Sequence, residues 1–350
     1  MSGGTYQDLI LYEVPKQTIE HDIAVFLEHE PKKIRTQRSL SLDWPAKDQI
    51  QALVEMATPL FIFAATVCRY IGGKGEYPKE RLDIILQYQT TNASKLNEAY
   101  LPILNQLLND EDEDKERWLS RFREIVGSIV VLESPLSITS LAYLLGIPKE
   151  DISCRLDSLH SVLSIPINED MPIRLLHLSF RDFLLDPQKQ GKVPFWVDEK
   201  GTHKDLASKC IQLMSGPKGL RENMCNQTKP GTLRSEINKR IIANCLPPEV
   251  QYACRYWVHH LVRSKHRIHD GDPVHLFLQG YFLYWVEAIS LIGEVYSGVG
   301  IINSLRTLTD VRLSWISHII SCAHLLRSQI RAPPRTFFTM QSDLYYGLNR

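Results

Sequence analysis

The sequence predicts a mainly α protein: a helical domain, then a winged helix with a short β-hairpin, then an α-helical linker or bundle. Three observations predict it. Apolar residues recur at helical spacing from Ile50 to Cys68. Two short helical patterns, two apolar strands around a polar turn, and the amphipathic stretch RLLHLSFRDFLLD (Arg174–Asp186) then follow in winged-helix order. Beyond them, aromatic-rich helical stripes run through Leu206, Trp257 and Trp285.

Residues 1–16 read as irregular. Thr18–Glu30 is predicted as a helix, with Ile19, Ile23, Phe26 and Leu27 on one face and Pro31 ending it. Pro31–Arg38 (PKKIRTQR) then reads as a basic, solvated connection, and Asp43-Trp44-Pro45 as a turn. The stripe from Ile50 to Cys68 is interrupted by Pro59. Thr58 as an N-cap with Pro59 at the first helical position splits it into two helices. Gly72-Gly73 stops the second. Glu80–Tyr88 and Leu96–Leu108 complete a helical domain spanning 17–112.

The acidic run Asp110–Glu116 marks the next boundary, and reads as a solvated linker or a first helical turn. Trp118–Leu132 is a strongly amphipathic helix. Ser137–Leu145 and Glu150–His160 are short helices separated by Gly146-Ile147-Pro148. Val162–Pro166 and Ile173–Leu176 are predicted strands joined by Asn168–Pro172, and a helix follows His177. This is the winged-helix domain, 113–190. After the loop Pro187–Gly201, residues 200–308 form a helical linker domain. Its stripes are Leu206/Cys210/Leu213, Val250–Leu261 after the break at Pro247-Pro248, and Val274–Trp285. Such stripes read as core. Residues 309–350 are a divergent tail with no pattern that can be assigned.

Composition narrows the function classes. Across 350 residues the formal net charge is zero and the pI about 7.2, which argues against a dedicated binder of nucleic acid or anionic membrane. The longest apolar run, Leu60–Cys68, falls well short of the roughly 20 residues a membrane span needs. The N-terminus is polar with early acids, unlike a signal peptide. The seven cysteines are dispersed, with no CxxC pair, as expected of free thiols in a reducing compartment. A cytoplasmic protein is expected.

Motifs for chemistry are missing. The Gly-Lys pairs Gly73-Lys74 and Gly191-Lys192 lack the spacing of GxxxxGK[ST], whose glycines let backbone amides approach phosphate and whose hydroxyl holds magnesium. No strand ending in magnesium-binding acids is visible. His259, His260, His266, His269 and His275 cluster in sequence, but HExxH is missing and no cysteine pair completes a zinc pattern. There is no GxSxG elbow, and Asp43 and Asp182 are isolated acids. The second helix of the winged helix, Glu150–His160, carries one arginine against three acids, the wrong charge for phosphate contact. No enzyme activity, metal or nucleic-acid partner is expected.

Several stretches together resemble fungal NACHT-type NTPases, the Nod-like receptor relatives associated with heterokaryon incompatibility. They are EVPKQTIEHDIAVFLEHE, LDWPAKDQIQALVEMATPLFIFAATVCRYI, LPILNQLL, FREIVGSIVVLESPLSITSLAYLLGIPKEDISCRLDSLHSVLSIP, RLLHLSFRDFLLDP and QYACRYWVHHL. The resemblance runs from about Val14 to Leu305. The resemblance implies that residues 1–16 are the end of an α/β nucleotide-binding domain, with Tyr6–Tyr12 as its last strand, whose P-loop would lie upstream. It implies two positions near ADP: Pro59 in ATPLFIFAAT against adenine, and His177 in HLSFRDF against phosphate. Read from the residues alone, Pro59 is equally a helix-starting proline and His177 a core histidine bonded to backbone.

Three functions are therefore carried forward. The first is a truncated NACHT-type signalling or scaffold module without its own P-loop, needing no cofactor. It would act by self-association or association with other NACHT-type chains in non-self recognition or programmed cell death. The second is part of a full STAND receptor switched by ADP and ATP. The third, duplex binding by the winged helix, has the charge against it.

Overall fold

The computed structural model describes residues 15–73, 78–88, 95–108, 115–227 and 234–308. The possible strand Tyr6–Tyr12, most of the acidic run and the tail from 309 lie outside the described residues, as does Cys322. The described chain is mainly helical, with fourteen α-helices and one two-stranded antiparallel pair. No helix among the described residues is long and apolar enough to cross a membrane. The residues fall into two compact units. One draws on Met1–Ser120, Cys154–Ile165 and Arg174–Trp196; the other on Arg121–Ser153, Pro166–Ile173 and Val197–Arg350.

The first unit is built around α3 (Phe61–Gly72). Phe63 to Cys68, Tyr70 and Ile71 of that helix are all buried. A helix apolar on nearly every side needs neighbours on every side. Those are α1 (Lys16–Gln37), α2 (Lys47–Ala57), α4 (Pro78–Gln87) and α5 (Lys95–Asn105).

The helix α1 corrects the expected stop at Pro31. It continues to Gln37 with Pro31 inside it. Proline in a helix interior forfeits a backbone bond and costs about 3 kcal/mol. Here Ile23, Leu27, Pro31 and Ile34 form one buried stripe against α2 and α3, so burial outweighs the lost bond. The basic segment is thus the last turns of a helix, with Arg35 Nη1 donating to Leu42 O at 2.6 Å.

The split at Thr58-Pro59 is present, but its chemistry differs from expectation. Thr58 caps the C-terminus of α2, donating its Oγ1 to Val54 O at 2.8 Å. Leu60, not Thr58, is the N-cap of α3, so Pro59 stands in the link before the helix.

After α6 (Lys115–Val131) come α7 (Ile138–Leu145) and α8 (Lys149–Leu156), then a 3-10 turn at Asp157–Leu159. Ser137 caps α7, accepting from Ser140 N, and Gly146 ends it at φ 66°. The strands are shorter than predicted: β1 (Leu163–Ser164) pairs with β2 (Arg174–Leu175). Pro166 and Pro172 bracket the turn and offer no N–H, so the ladder has little to extend with. Within the second unit, Ile173 N instead donates to Leu136 O at 2.9 Å.

In the second unit α10 (Glu199–Ser215) lies along α12 (Pro248–Arg263). α12 also packs on α7, α13 (Pro273–Ile292) and α14 (Val295–Thr307). The aromatic stripes are core, as predicted: Trp257 and Trp285 are fully buried and meet edge to face at 6.0 Å. The indole N–H of Trp285 donates to Cys254 O at 2.9 Å.

Candidate functional site

The helix α9 (Leu178–Leu185) is only eight residues long, too short to persist on its own. Its seat in the first unit decides its position. Phe180, Phe183 and Leu184 are buried, and burial of such a side chain contributes about 1.5–3 kcal/mol. Tyr100 on α5 meets the rings of Phe180 and Phe183 at 5.2 and 5.3 Å. Lys189 Nζ lies over the Phe183 ring, 4.6 Å from its centre, and is paired with Asp186 at 3.0 Å.

His177 is the N-cap of this helix. It is extended, at φ −155° and ψ 147°, and its Nδ1 accepts from Ser179 N at 3.1 Å. It is therefore not a core histidine: the residue is exposed, although its ring is bonded to backbone. Ser179 Oγ lies 2.8 Å from the same Nδ1 and 2.7 Å from Tyr100 Oη.

The proton positions follow from donor and acceptor counting. Nδ1 accepts a backbone N–H, so in the neutral ring the proton sits on Nε2. The Ser179 hydroxyl lies against that same lone pair and against the Tyr100 hydroxyl, and either hydroxyl can donate to the other. The neutral ring keeps Nε2–H as its donor. Burial pushes the Tyr100 phenol up, with the Ser179 bond acting the other way. The tyrosine stays neutral.

Pro59 is exposed in the link between α2 and α3, also in the first unit. The structure gives the two sequence-predicted positions separate supports, one in an interhelical link and one on a helix cap. Sequence reasoning missed Tyr100 and Ser179 as the residues that orient His177. The serine two residues after the histidine was the readable signal. Tyr100 was one aromatic in an ordinary helical stripe.

The second unit holds another polar cluster, at two of the histidines met in sequence and at His203. His203 and His260 are 1% and 0% exposed, and their Nδ1 atoms are 2.7 Å apart. Tyr252 Oη is 2.7 Å from His260 Nε2 and accepts from Glu133 N at 3.2 Å. With that bond accepted, the tyrosine O–H is best used toward Nε2. His260 then donates through Nδ1 to His203, whose Nε2 faces Glu199 Oε1 at 3.8 Å. Burial first, then His203 and His259, pushes His260 down to about 3, so His260 is neutral. His259 is exposed and pairs with Glu133 at 2.9 Å. Among the described residues no group of three or more His, Cys, Asp or Glu is placed to hold a metal. The pair joins α10 to α12 and is placed for structure.

The chain is similar to a fungal vegetative incompatibility protein. HET-E-1 of Podospora anserina is 24% identical over 332 residues, covering 88% of this chain and 23% of HET-E-1. The chain thus spans about a quarter of the length of that relative. No protein-family model matches the chain.

Proposed function

We propose that this chain is a helical signalling or scaffold module of the NACHT type, acting in fungal non-self recognition or the programmed cell death that follows it. It works by association with itself or with other NACHT-type chains in the cytoplasm. The observation that carries the reading is the likeness to HET-E-1 across 88% of the chain. The mainly helical architecture agrees with it. In this reading residues 17–112 are the helical domain, 113–190 the winged helix and 200–308 the linker.

The module hydrolyses no nucleotide by itself, since GxxxxGK[ST] is missing from its sequence. The test combines light scattering of the pure protein, capture of a NACHT-type chain from the same fungus, and an ATPase assay. Self-association or capture without hydrolysis supports the module. A monomer that captures no such chain overturns it, as does magnesium-dependent ATP hydrolysis lost in His177→Ala.

A second reading makes the chain part of a receptor switched by ADP and ATP. His177 favours it: an exposed imidazole with its Nδ1 engaged at a helix N-terminus keeps Nε2–H as a donor that suits a phosphate oxygen. Pro59 would supply an apolar contact to the base. In a chain that includes the nucleotide-binding domain, His177→Ala should speed ADP release and favour activation. Unchanged ADP retention would overturn this reading and leave the first intact.

A further inference from the structure

The link between α1 and α2, residues 38–46, carries the pattern Arg38-Ser39-Leu40-Ser41-Leu42. It puts an arginine three residues before Ser41 and an apolar residue directly after it. Arg38, Ser41 and Leu42 are exposed, Leu42 at 83%. Trp44, by contrast, is buried and anchors the far side of the link.

Surface hydrogen bonds hold this segment. Leu40 N donates to Arg35 O at 3.0 Å, Trp44 N to Ser41 O at 3.1 Å, and Arg38 Nη2 to Gly73 O at 2.7 Å. Ser39 stands at φ 51°, in the left-handed region that residues with a Cβ resist. Drawing Arg38–Leu42 out into an extended strand relieves that strain. It also uncovers no core residue, since none of the five is buried. A local opening of this kind draws on the least stable part of a fold.

We infer that Ser41 is a phosphorylation site for a protein kinase that selects arginine three residues before its acceptor. Carboxylates in such a kinase pair with the Arg38 guanidinium, and charge patterns of this kind set kinase specificity. An apolar pocket takes Leu42, whose side chain already lies in water. The Ser41 hydroxyl attacks the γ-phosphorus of ATP. An O–P bond forms, the γ-phosphorus bond to the bridging oxygen breaks, and ADP leaves. The hydroxyl proton passes to the catalytic aspartate of the kinase. The phosphate then puts a charge of about −1.5 to −2 just past the basic end of α1. That end carries Lys32, Lys33, Arg35 and Arg38, so about half of its positive charge is cancelled.

The same arginine spacing recurs at Arg117–Ser120 and Arg155–Ser158, and at Arg306–Thr309, which runs past the described residues. Ser120 lies inside α6. Ser158 sits in the 3-10 turn after α8, and its Arg155 is held 4.5 Å from the centre of the Trp118 ring. Neither serine can be presented in an extended segment without unwinding a helix, so among the described residues the fold singles out Ser41. The experiment incubates the full chain with magnesium-ATP and a limiting amount of the catalytic subunit of cyclic-AMP-dependent protein kinase. Phosphopeptides are mapped by mass spectrometry over time. Phosphate should reach Ser41 before Ser120 or Ser158. In Arg38→Ala the Ser41 rate should fall by roughly tenfold, the loss expected for one charge-assisted bond. An unchanged rate in that variant would overturn the proposal. So would phosphate on Ser120 or Ser158 with Ser41 bare, or no phosphate at all. The map of the native sequence reads the outcome even if the variant fails to fold.

Discussion

The hydroxyl of Tyr100 lies 2.7 Å from Ser179 Oγ, across 79 residues of sequence. That bond links the core of the first unit to the cap of α9 and sets which way the His177 ring is bonded. Removing the hydroxyl in Tyr100→Phe keeps the ring packing against Phe180 and Phe183. It should cost about 1 kcal/mol, the usual net worth of one hydrogen bond. Urea unfolding checks this, and an unchanged midpoint would mean that the bond contributes nothing.

The cap itself can be tested by replacing its acceptor. His177→Ala leaves Ser179 N without the Nδ1 acceptor and should lose about 1 kcal/mol, while His177→Asn should recover most of it. Equal loss in both variants would show that the ring matters through something other than capping.

Buried His260 makes stability depend on pH. Its folded value, about 3, lies below the unfolded 6.5, so the unfolded chain binds the extra proton between those values. Stability is therefore complete above pH 6.5 and falls as pH drops toward 3. Unfolding midpoints between pH 7 and 5.5, above most carboxylate titrations, should decline in the native sequence. The slope should be shallower in His260→Gln. A pH-independent midpoint in the native sequence would contradict a neutral buried His260.

One substitution should have opposite signs at two glycines. Gly146 ends α7 at φ 66°, with nothing near an added Cβ. Gly146→Ala should therefore cost about 1 kcal/mol from backbone strain alone. Gly280 lies inside α13, also with open space around it and no positive φ. There Ala should stabilise by roughly 0.5–1 kcal/mol. Thermal unfolding of the two single variants decides it.

Much of the fold was legible in periodicity. The split of the Ile50–Cys68 stripe, the short helix that ends before Gly146, and the core role of Trp257 and Trp285 all appear where the pattern placed them. Local rules failed where burial competed with them. Proline was read as a helix stop at Pro31, but a buried stripe carried the helix through it. Pro59 was read as a first helical residue, but α3 starts after Leu60.

The candidate site divides in the same way. Sequence singled out His177 at a strand–helix junction, because the change from period two to helical spacing is a local property of the chain. Its orientation came from Tyr100, and the buried histidine pair from His203, 57 residues before His260. So by itself the sequence determined that the chain is mainly helical, which faces are apolar, and that it carries no GxxxxGK[ST] motif. Only the tertiary structure decided which polar side chains are paired inside, because a hydrogen bond depends on two groups meeting within about 3 Å, and no local pattern records a meeting between distant segments.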